Sequence, residues 1–346
     1  MKILLVLFLL TGHLILPVSA SEINAPEVPH SGAELMPADT DSFDNGLKEI
    51  LYNAIAKLRP DVKEAAKVSL SVIAAVMMVS ILQTFSGSIR NTADLAGSAL
   101  ISYLLLMNTN TLIQLGANTV SEITDYGKLF LPVMTSALAA QGNVTRSAAL
   151  YTGSAAFITV LSSMISKLLL PMVYLFLALA IASVAVGEEL LKKFRDLFKS
   201  AISWCLKTVL TVFTTYLSIT GIVSGTTDAA ALKAAKVTIS SVVPVVGGIL
   251  SDASEAVLVS TSLAKNAAGI YGILAVLAIF LEPFLQISMH YMLLKLTSSV
   301  CAIFGSKAIT DLINDFACAM GLLLAMTGSV CLLLLISTVC FMKGVG

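Results

Sequence analysis

The sequence predicts an all-α fold, a polytopic transmembrane helix bundle with about seven to ten spans. Three observations predict it. Apolar residues make up 57% of the chain and charged residues only 12%. The mean hydropathy is +0.92, outside the range of soluble globular domains. The apolar residues are also gathered in charge-free runs long enough to cross a bilayer as helices. Formal net charge is zero, so nothing points to nucleic acid or to an acidic partner.

The first element is a signal peptide, expected over residues 1–20. Lys2 precedes the apolar run Ile3–Leu10, and Val18-Ser19-Ala20 stands before Ser21. An uncleaved anchor is the alternative, but the small residues and the polar sequence after them favour removal. Residues 21–66 are then expected outside the cytoplasm. Their first part, 21–45, carries Pro26, Pro29, Pro37, Asp39, Asp41 and Asp44 and reads as a flexible lead. Asp44–Leu58 follows, with Leu47, Ile50, Leu51, Ile55 and Leu58 at helical spacing. This is an amphipathic helix, expected to end near Arg59-Pro60 and to bind a partner or rest on the membrane surface.

Residues 67–346 form the polytopic transmembrane domain. The long runs are Val68–Ile89, Leu95–Ser121, Ser147–Ser166, Leu168–Gly187, Thr208–Thr227 and Ala317–Met342. Leu129–Thr145, Val237–Ser251 and Asn266–Leu281 are shorter or interrupted, as tilted, re-entrant or paired segments would be. Lys192, Lys193, Arg195, Lys199 and Lys207 form the densest basic cluster, which the positive-inside rule places in the cytoplasm. An echo runs through the domain: Pro132 and Pro171 are 39 residues apart, as are Pro244 and Pro283. It suggests parallel repeats at about 95–200 and 207–312, with chance alignment of apolar sequence as the alternative.

Enzyme chemistry finds no footing. There is no phosphate-binding G-x-x-x-x-G-K-[ST] run and no cysteine pair at ligand spacing. The five cysteines lie in or beside apolar runs and read as small core residues. His290 stands alone beside Met289 and Tyr291 and reads as a packing or interfacial residue rather than a ligand. Ser224 with His290 lacks the motif of an intramembrane protease. The expectation is therefore no catalytic residue, no metal and no cofactor.

The stretch from Lys236 to Gly272 is where function is expected to lie. It breaks at Pro244, passes Gly247 and Gly248, and turns polar at Ser251, Asp252, Ser254 and Glu255. Broken backbone at membrane depth survives only where protein buries it or a watery cavity meets it. Two readings stay open, a re-entrant turn lining a passage and a close helix–helix contact. The run of polar residues favours the passage. Glu282 before Pro283 is either an ionisable group at membrane depth or an interfacial carboxylate marking a helix end. Small residues such as Gly153-Ser154-Ala155-Ala156 suit a compact bundle and a self-associating one equally.

The runs VPVVGGILSD (Val243–Asp252), LAKNAAGIYG (Leu263–Gly272) and PFLQI (Pro283–Ile287) resemble the stage III sporulation protein AE family. The likeness extends from about residue 45 to the end of the chain by the order of segments. It implies a multi-pass subunit, without cofactors, of the channel apparatus between mother cell and forespore, in the mother-cell membrane around the forespore. It also implies partners: an ATPase and ring-forming subunits from the stage III sporulation A operon. The residues alone leave an ion-coupled secondary transporter as the alternative, on the Pro-Gly break, the echo and Glu282.

Overall fold

The computed structural model describes residues 26–38, 40, 42–85, 90–140, 144–219 and 267–343. The regular structure described there is helical: α1 (His30–Ala33), α2 (Phe43–Phe85), α3 (Arg90–Ala140), α4 (Val144–Met164), α5 (Leu170–Val186), α6 (Glu189–Ile219), α7 (Ala267–Cys301) and α8 (Lys307–Lys343). A π-helical turn, Ile165–Leu169, joins α4 to α5. Six helices are long and apolar enough to cross a membrane, α4 and α5 counting as one through that turn. The all-α polytopic bundle expected from composition is the fold observed.

Contacts fix the direction of each helix. Gly46 of α2 lies against Leu274 of α7 and Lys57 against Glu282, so these two helices run parallel. Gly116 of α3 faces both Ile287 of α7 and Leu323 of α8, while Gly127 faces Leu334. Gly272 faces Phe130, so α3 is antiparallel to α7 and parallel to α8. Tyr174 donates to Asn110 at 2.9 Å, and Gly127 also touches Ile158, which sets α4–α5 antiparallel to α3. Phe157 packs edge-on to Phe213, and Tyr216 donates to the Ala149 carbonyl, so α6 returns alongside α4. One end of the bundle thus collects residues 43, 140, 144, 219, 267 and 343, and the other collects 85, 90, 186, 189, 301 and 307.

The α7–α8 hairpin is the centre. All nine residues Ile273–Leu281 are buried, which requires partners on every side of α7. α2, α3 and α8 supply them, and α3 to α6 close around α8. Close approach needs glycine. A Cβ on Gly272 would stand 1.9 Å from Phe130 Cζ, and one on Gly153 would stand 2.1 Å from Tyr216 Cε1. The small residues expected to permit helix contact do so here within one chain.

Several segment boundaries differ from those expected. The amphipathic helix does not end at Arg59-Pro60 but continues as α2 through Pro60 to Phe85. Pro60 lies on the exposed side, where the helix loses one bond while its other face stays packed on α7. That face, with Ile50 and Ala54 fully buried, binds the protein's own core rather than a separate partner. Leu95–Ser121 and Leu129–Thr145 merge into α3, which runs through Pro132. Ser147–Ser166 and Leu168–Gly187 also merge. Pro171 cannot donate to the carbonyl one turn back, and the π turn just before it absorbs the mismatch, with the Leu170 N–H bonded to the Ile165 carbonyl. Gly187, at φ 76°, ends this long helix. The lead expected to be flexible is docked from residue 28 onward: Leu35 is fully buried, Val28 and Met36 pack on the core, and an added Cβ on Gly32 would meet Ile279 at 2.8 Å. Residues 1–20 and Val237–Ser251 lie outside the described residues, as does part of the second proposed repeat.

Candidate functional site

Of the residues singled out from the sequence, Pro244, Gly247, Gly248, Asp252 and Glu255 lie outside the described residues, and so does Lys265. The described end of that stretch is a packing surface. Gly269 lies against Met342 of α8 and Gly272 against Phe130 of α3. Glu282 and Pro283 are described, and neither ends a helix: α7 continues through them to Cys301. The reading of Glu282 as a helix-end marker is therefore corrected. Pro283 is buried, and the close packing of α2 and α3 on α7 holds the helix in place of the bond proline removes.

Glu282, Gln286 and His290 follow one another at four-residue spacing, which puts them on one stripe of α7. Two of them meet α2 directly. Lys57 donates to Glu282 at 3.3 Å and also to Glu34, just after α1. Gln286 donates its side-chain amide to Asp61. His290 Nδ1 lies 2.9 Å from the Gln286 carbonyl, which can only accept, so this nitrogen carries the hydrogen. The hydrogen bond and positive charge of Lys57 hold the Glu34 carboxyl below its usual range. Glu282 is a partly exposed carboxylate paired with Lys57 along the middle of α7.

A second ionic cluster joins α6, α7 and α8. Arg195 donates to Asp315 at 2.5 Å and to Asp196 at 3.0 Å. Lys295 donates to Asn314 at 2.6 Å and stands over the Tyr291 ring. Lys199 reaches the Cys318 sulfur at 3.7 Å. The side chains of Arg195 and Asp315 are only 14% and 9% exposed. On the opposite face of α6, Leu190, Phe194, Leu197 and Trp204 are exposed. Arg195 and Lys199 thus turn inward, while Glu189, Lys193 and Asp196 stay exposed beside the outward apolar groups.

The inward turn of Arg195 and Lys199 fits the height of the cluster in the bundle. Side chains from Ala65–Ser69, Leu105–Leu112 and His290–Leu294 line one crevice, so those segments are level. Lys295 and its neighbours lie one turn further along α7, level with Leu70 on α2 and with Tyr103–Met107 on α3. Around that level Leu70, Tyr103, Met107, Met292 and Leu296 are all exposed. An apolar girdle interrupted by exposed Lys67, Lys193 and Asp196 surrounds the inward-facing pair, as on a surface that meets a bilayer near its interface.

Sequence reasoning does not single out this cluster, because Arg195 stands among other basic residues and the last span is expected to begin only at Ala317. Two signals were present. Arg195 and Lys199 are one turn apart, opposite an apolar stripe, and Asp315 stands two residues before the charge-free run Ala317–Met342. Among the described residues no three His, Cys, Asp or Glu side chains gather as metal ligands would. Cys301, Cys331 and Cys340 are buried free thiols.

The sequence profile of the family described as Stage III sporulation protein AE matches residues 34–344. The chain belongs to the stage III sporulation protein AE family. Stage III sporulation protein AE of Bacillus subtilis (strain 168) is 22% identical over 197 residues, covering 57% of this chain and 49% of that relative. The match therefore spans about half the length of the curated relative. No solved structure matches. The family match includes α1's exit at Glu34, the ionic stripe of α7 and the Arg195–Asp315 pair, so both clusters lie within the family's own domain. The protein is a multi-pass membrane protein of a sporulation family.

Proposed function

We propose that this chain is a non-enzymatic membrane subunit of the channel or secretion apparatus that connects mother cell and forespore and supports forespore development. The observation that carries the reading is the family match across residues 34–344. The packing supports a subunit rather than a self-sufficient pore. The centre of the described bundle is filled by the apolar α7–α8 hairpin, so a conduit would run along the outside of this chain, between copies or against other components. The components proposed are an ATPase and ring-forming subunits of the same operon, acting in the mother-cell membrane around the forespore. The bundle end holding residues 189 and 307 faces the cytoplasm in this reading, and the docked segment 28–36 faces the exported side.

Affinity purification from sporulating cells, with mass spectrometry of what accompanies the chain, tests the assignment. Recovery of a sporulation ATPase and ring proteins is expected; recovery of the chain alone rejects it. The second reading, an ion-coupled secondary transporter, is favoured by the ionic stripe on α7. Ion-dependent solute uptake by the purified chain in proteoliposomes is its test. For orientation, a cysteine placed at Lys193 should be shielded from an impermeant thiol reagent in intact cells, while one at Ser42 should label.

A further inference from the structure

The outer surface of the bundle changes character part-way along each long helix. α2 has 43 residues and α3 has 51, so both are about twice as long as the hydrocarbon core of a bilayer is thick. On α2, Lys48, Glu49, Arg59, Lys63, Glu64 and Lys67 are exposed, and beyond them Leu70, Met77, Met78, Ile81 and Leu82. α3 runs the other way and shows the reverse order: Leu95, Leu100, Tyr103, Leu106 and Met107, then Asn110, Gln114, Asn118, Asp125 and Lys128. α4 exposes Thr145, Thr152, Thr159 and Ser163, and exposed Lys167 follows in the π turn before Leu168, Leu175 and Val186. α6 exposes Leu190, Phe194, Leu197 and Trp204 before Thr211, Thr215 and Ser218. From the changeover to the helix end the distances agree: 68–85, 90–107, 168–186 and 189–206 each measure about 26 Å, close to the thickness of one hydrocarbon core.

On the other side of the changeover the bundle is built like a water-soluble one. Ile273–Leu281 of α7 and Val330–Leu335 of α8 are buried, so their apolar side chains face a dry core and not lipid. The outward charges of Arg59, Lys63 and Glu64 are costly against acyl chains and cost nothing in water. We infer that the bilayer surrounds only the half of the bundle that holds residues 85, 90, 186, 189, 301 and 307, and that the other half is a water-exposed head. Residues 43–67 of α2 and 144–167 of the α4–α5 helix give that head a height of about 35 Å. Tyr174 is level with Asn110, so the changeover on α5 stands about 13 Å above that on α3, and the bundle is tilted in the bilayer. Lys193 and Asp196 lie within about two turns of the start of α6, at headgroup depth. The Lys57–Glu282 pair and the Gln286–Asp61 bond fall within the head, where partly exposed side chains meet water. Tyr52, Ile55 and Val160 are exposed there singly among polar neighbours, as on any soluble surface. The depth does not rest on the channel reading; only the side does. With the orientation proposed above, the head stands on the exported side, within reach of soluble partners.

Trp204, the single tryptophan of the chain, is exposed in the lipid-facing half and serves as the reporter. Full-length protein is placed in nanodiscs, where both faces of the bilayer meet the same solution, so the result does not depend on orientation. An inverted orientation would leave it unchanged and would appear in the thiol labelling instead. Lipids with brominated acyl chains should remove most of the Trp204 emission, while aqueous iodide removes little. In a Trp204→Phe background, Tyr103→Trp should behave in the same way. Tyr52→Trp and Val160→Trp, on two faces of the head, should show the reverse: emission largely lost to iodide and kept in brominated lipid. Tyr151→Trp repeats the Val160 reading on the same helix should Val160→Trp fail to fold. Loss to brominated lipid at both head sites overturns the inference. Loss to brominated lipid at Val160 alone also overturns it, because only the α2–α3 face would then meet water, as along a groove within the membrane. Protection of the head sites from both quenchers overturns it too, by assigning those faces to contact between copies.

Discussion

Lys57 stands between two carboxylates, Glu34 and Glu282, and Arg195 stands between two others, Asp196 and Asp315. The chemistry is nearly the same and the surroundings are not. Side chains at the first site are 36%, 58% and 27% exposed, so water and salt screen them. At the second, Arg195 and Asp315 are 14% and 9% exposed and face each other at the level of the apolar girdle. A screened pair contributes little, about 0–1 kcal/mol. An enclosed pair has already lost its hydration, so its net contribution is modest while the cost of removing one partner is large. The comparison teaches that the inner pair is fragile toward single changes and the outer triad is tolerant of them.

The largest expected effect tests that fragility. Asp315→Leu leaves the enclosed Arg195 guanidinium with only the exposed Asp196 as a charge partner, and a loss of up to about 3–5 kcal/mol is expected. Thermal unfolding of purified protein, or its abundance in membranes, would register this as a severe defect. The double change Arg195→Met with Asp315→Leu should recover most of the loss, because it removes both charges and keeps the volume. If the double variant is as poor as the single one, the guanidinium must have a further role that the pair does not explain.

An intermediate effect is expected from packing on the dry half of α7. Gly272→Ala places a methyl where Phe130 already lies, and overpacking of this kind costs about 1–3 kcal/mol. Combining it with Phe130→Leu should return part of the stability. Equal defects in the single and double variants would mean that the glycine matters for something other than room for that ring.

Lys57→Met comes next, at no more than about 1 kcal/mol, since Glu282 keeps access to water when its partner is removed. The measurement is the same unfolding assay, repeated at high salt, where wild type should approach the variant. A loss as large as that of Asp315→Leu would erase the contrast between the two sites.

These two sites also show what the sequence makes legible. Composition and run length were sufficient for an all-α polytopic bundle, because a chain this apolar has few other ways to satisfy its backbone. Helix boundaries were less legible. Pro60, Pro132, Pro171 and Pro283 each suggest a break, yet every one lies inside or at the start of a continuing helix, held by tertiary packing that no local pattern encodes. Glu282 was visible as a charge in an apolar setting, but its partner, Lys57, is 225 residues away. Arg195 was hidden for the opposite reason. It sits among other basic residues, and only the inward turn of α6 distinguishes it from Lys193 beside it. The crevice beside His290 draws on three helices, and nothing in the order of Ser69, Asn108 and His290 along the chain announces it.

The smallest effect concerns Glu34, whose carboxylate joins the docked lead to Lys57. Lys57 holds the folded-state value of Glu34 below its ordinary 4.5, by its hydrogen bond first and its charge second. A depressed carboxylate contributes stability that is fully present above the unfolded value and is lost as the pH falls through the folded one. Nothing should therefore change from neutral pH down to about pH 5, and the lead should loosen below that. Leu35 and Met36 report on it, because both N–H groups bond to the Gly32 carbonyl and Leu35 is buried against the core. Their amide exchange, corrected for the intrinsic pH dependence, should accelerate modestly in wild type between about pH 5 and about pH 3. In Glu34→Gln the exchange should already be faster at neutral pH and should lack the part of the acid response that Glu34 supplies. Parallel acceleration in both proteins would assign the acid response to other carboxylates and leave the Glu34–Lys57 contact without a measurable part in docking the lead.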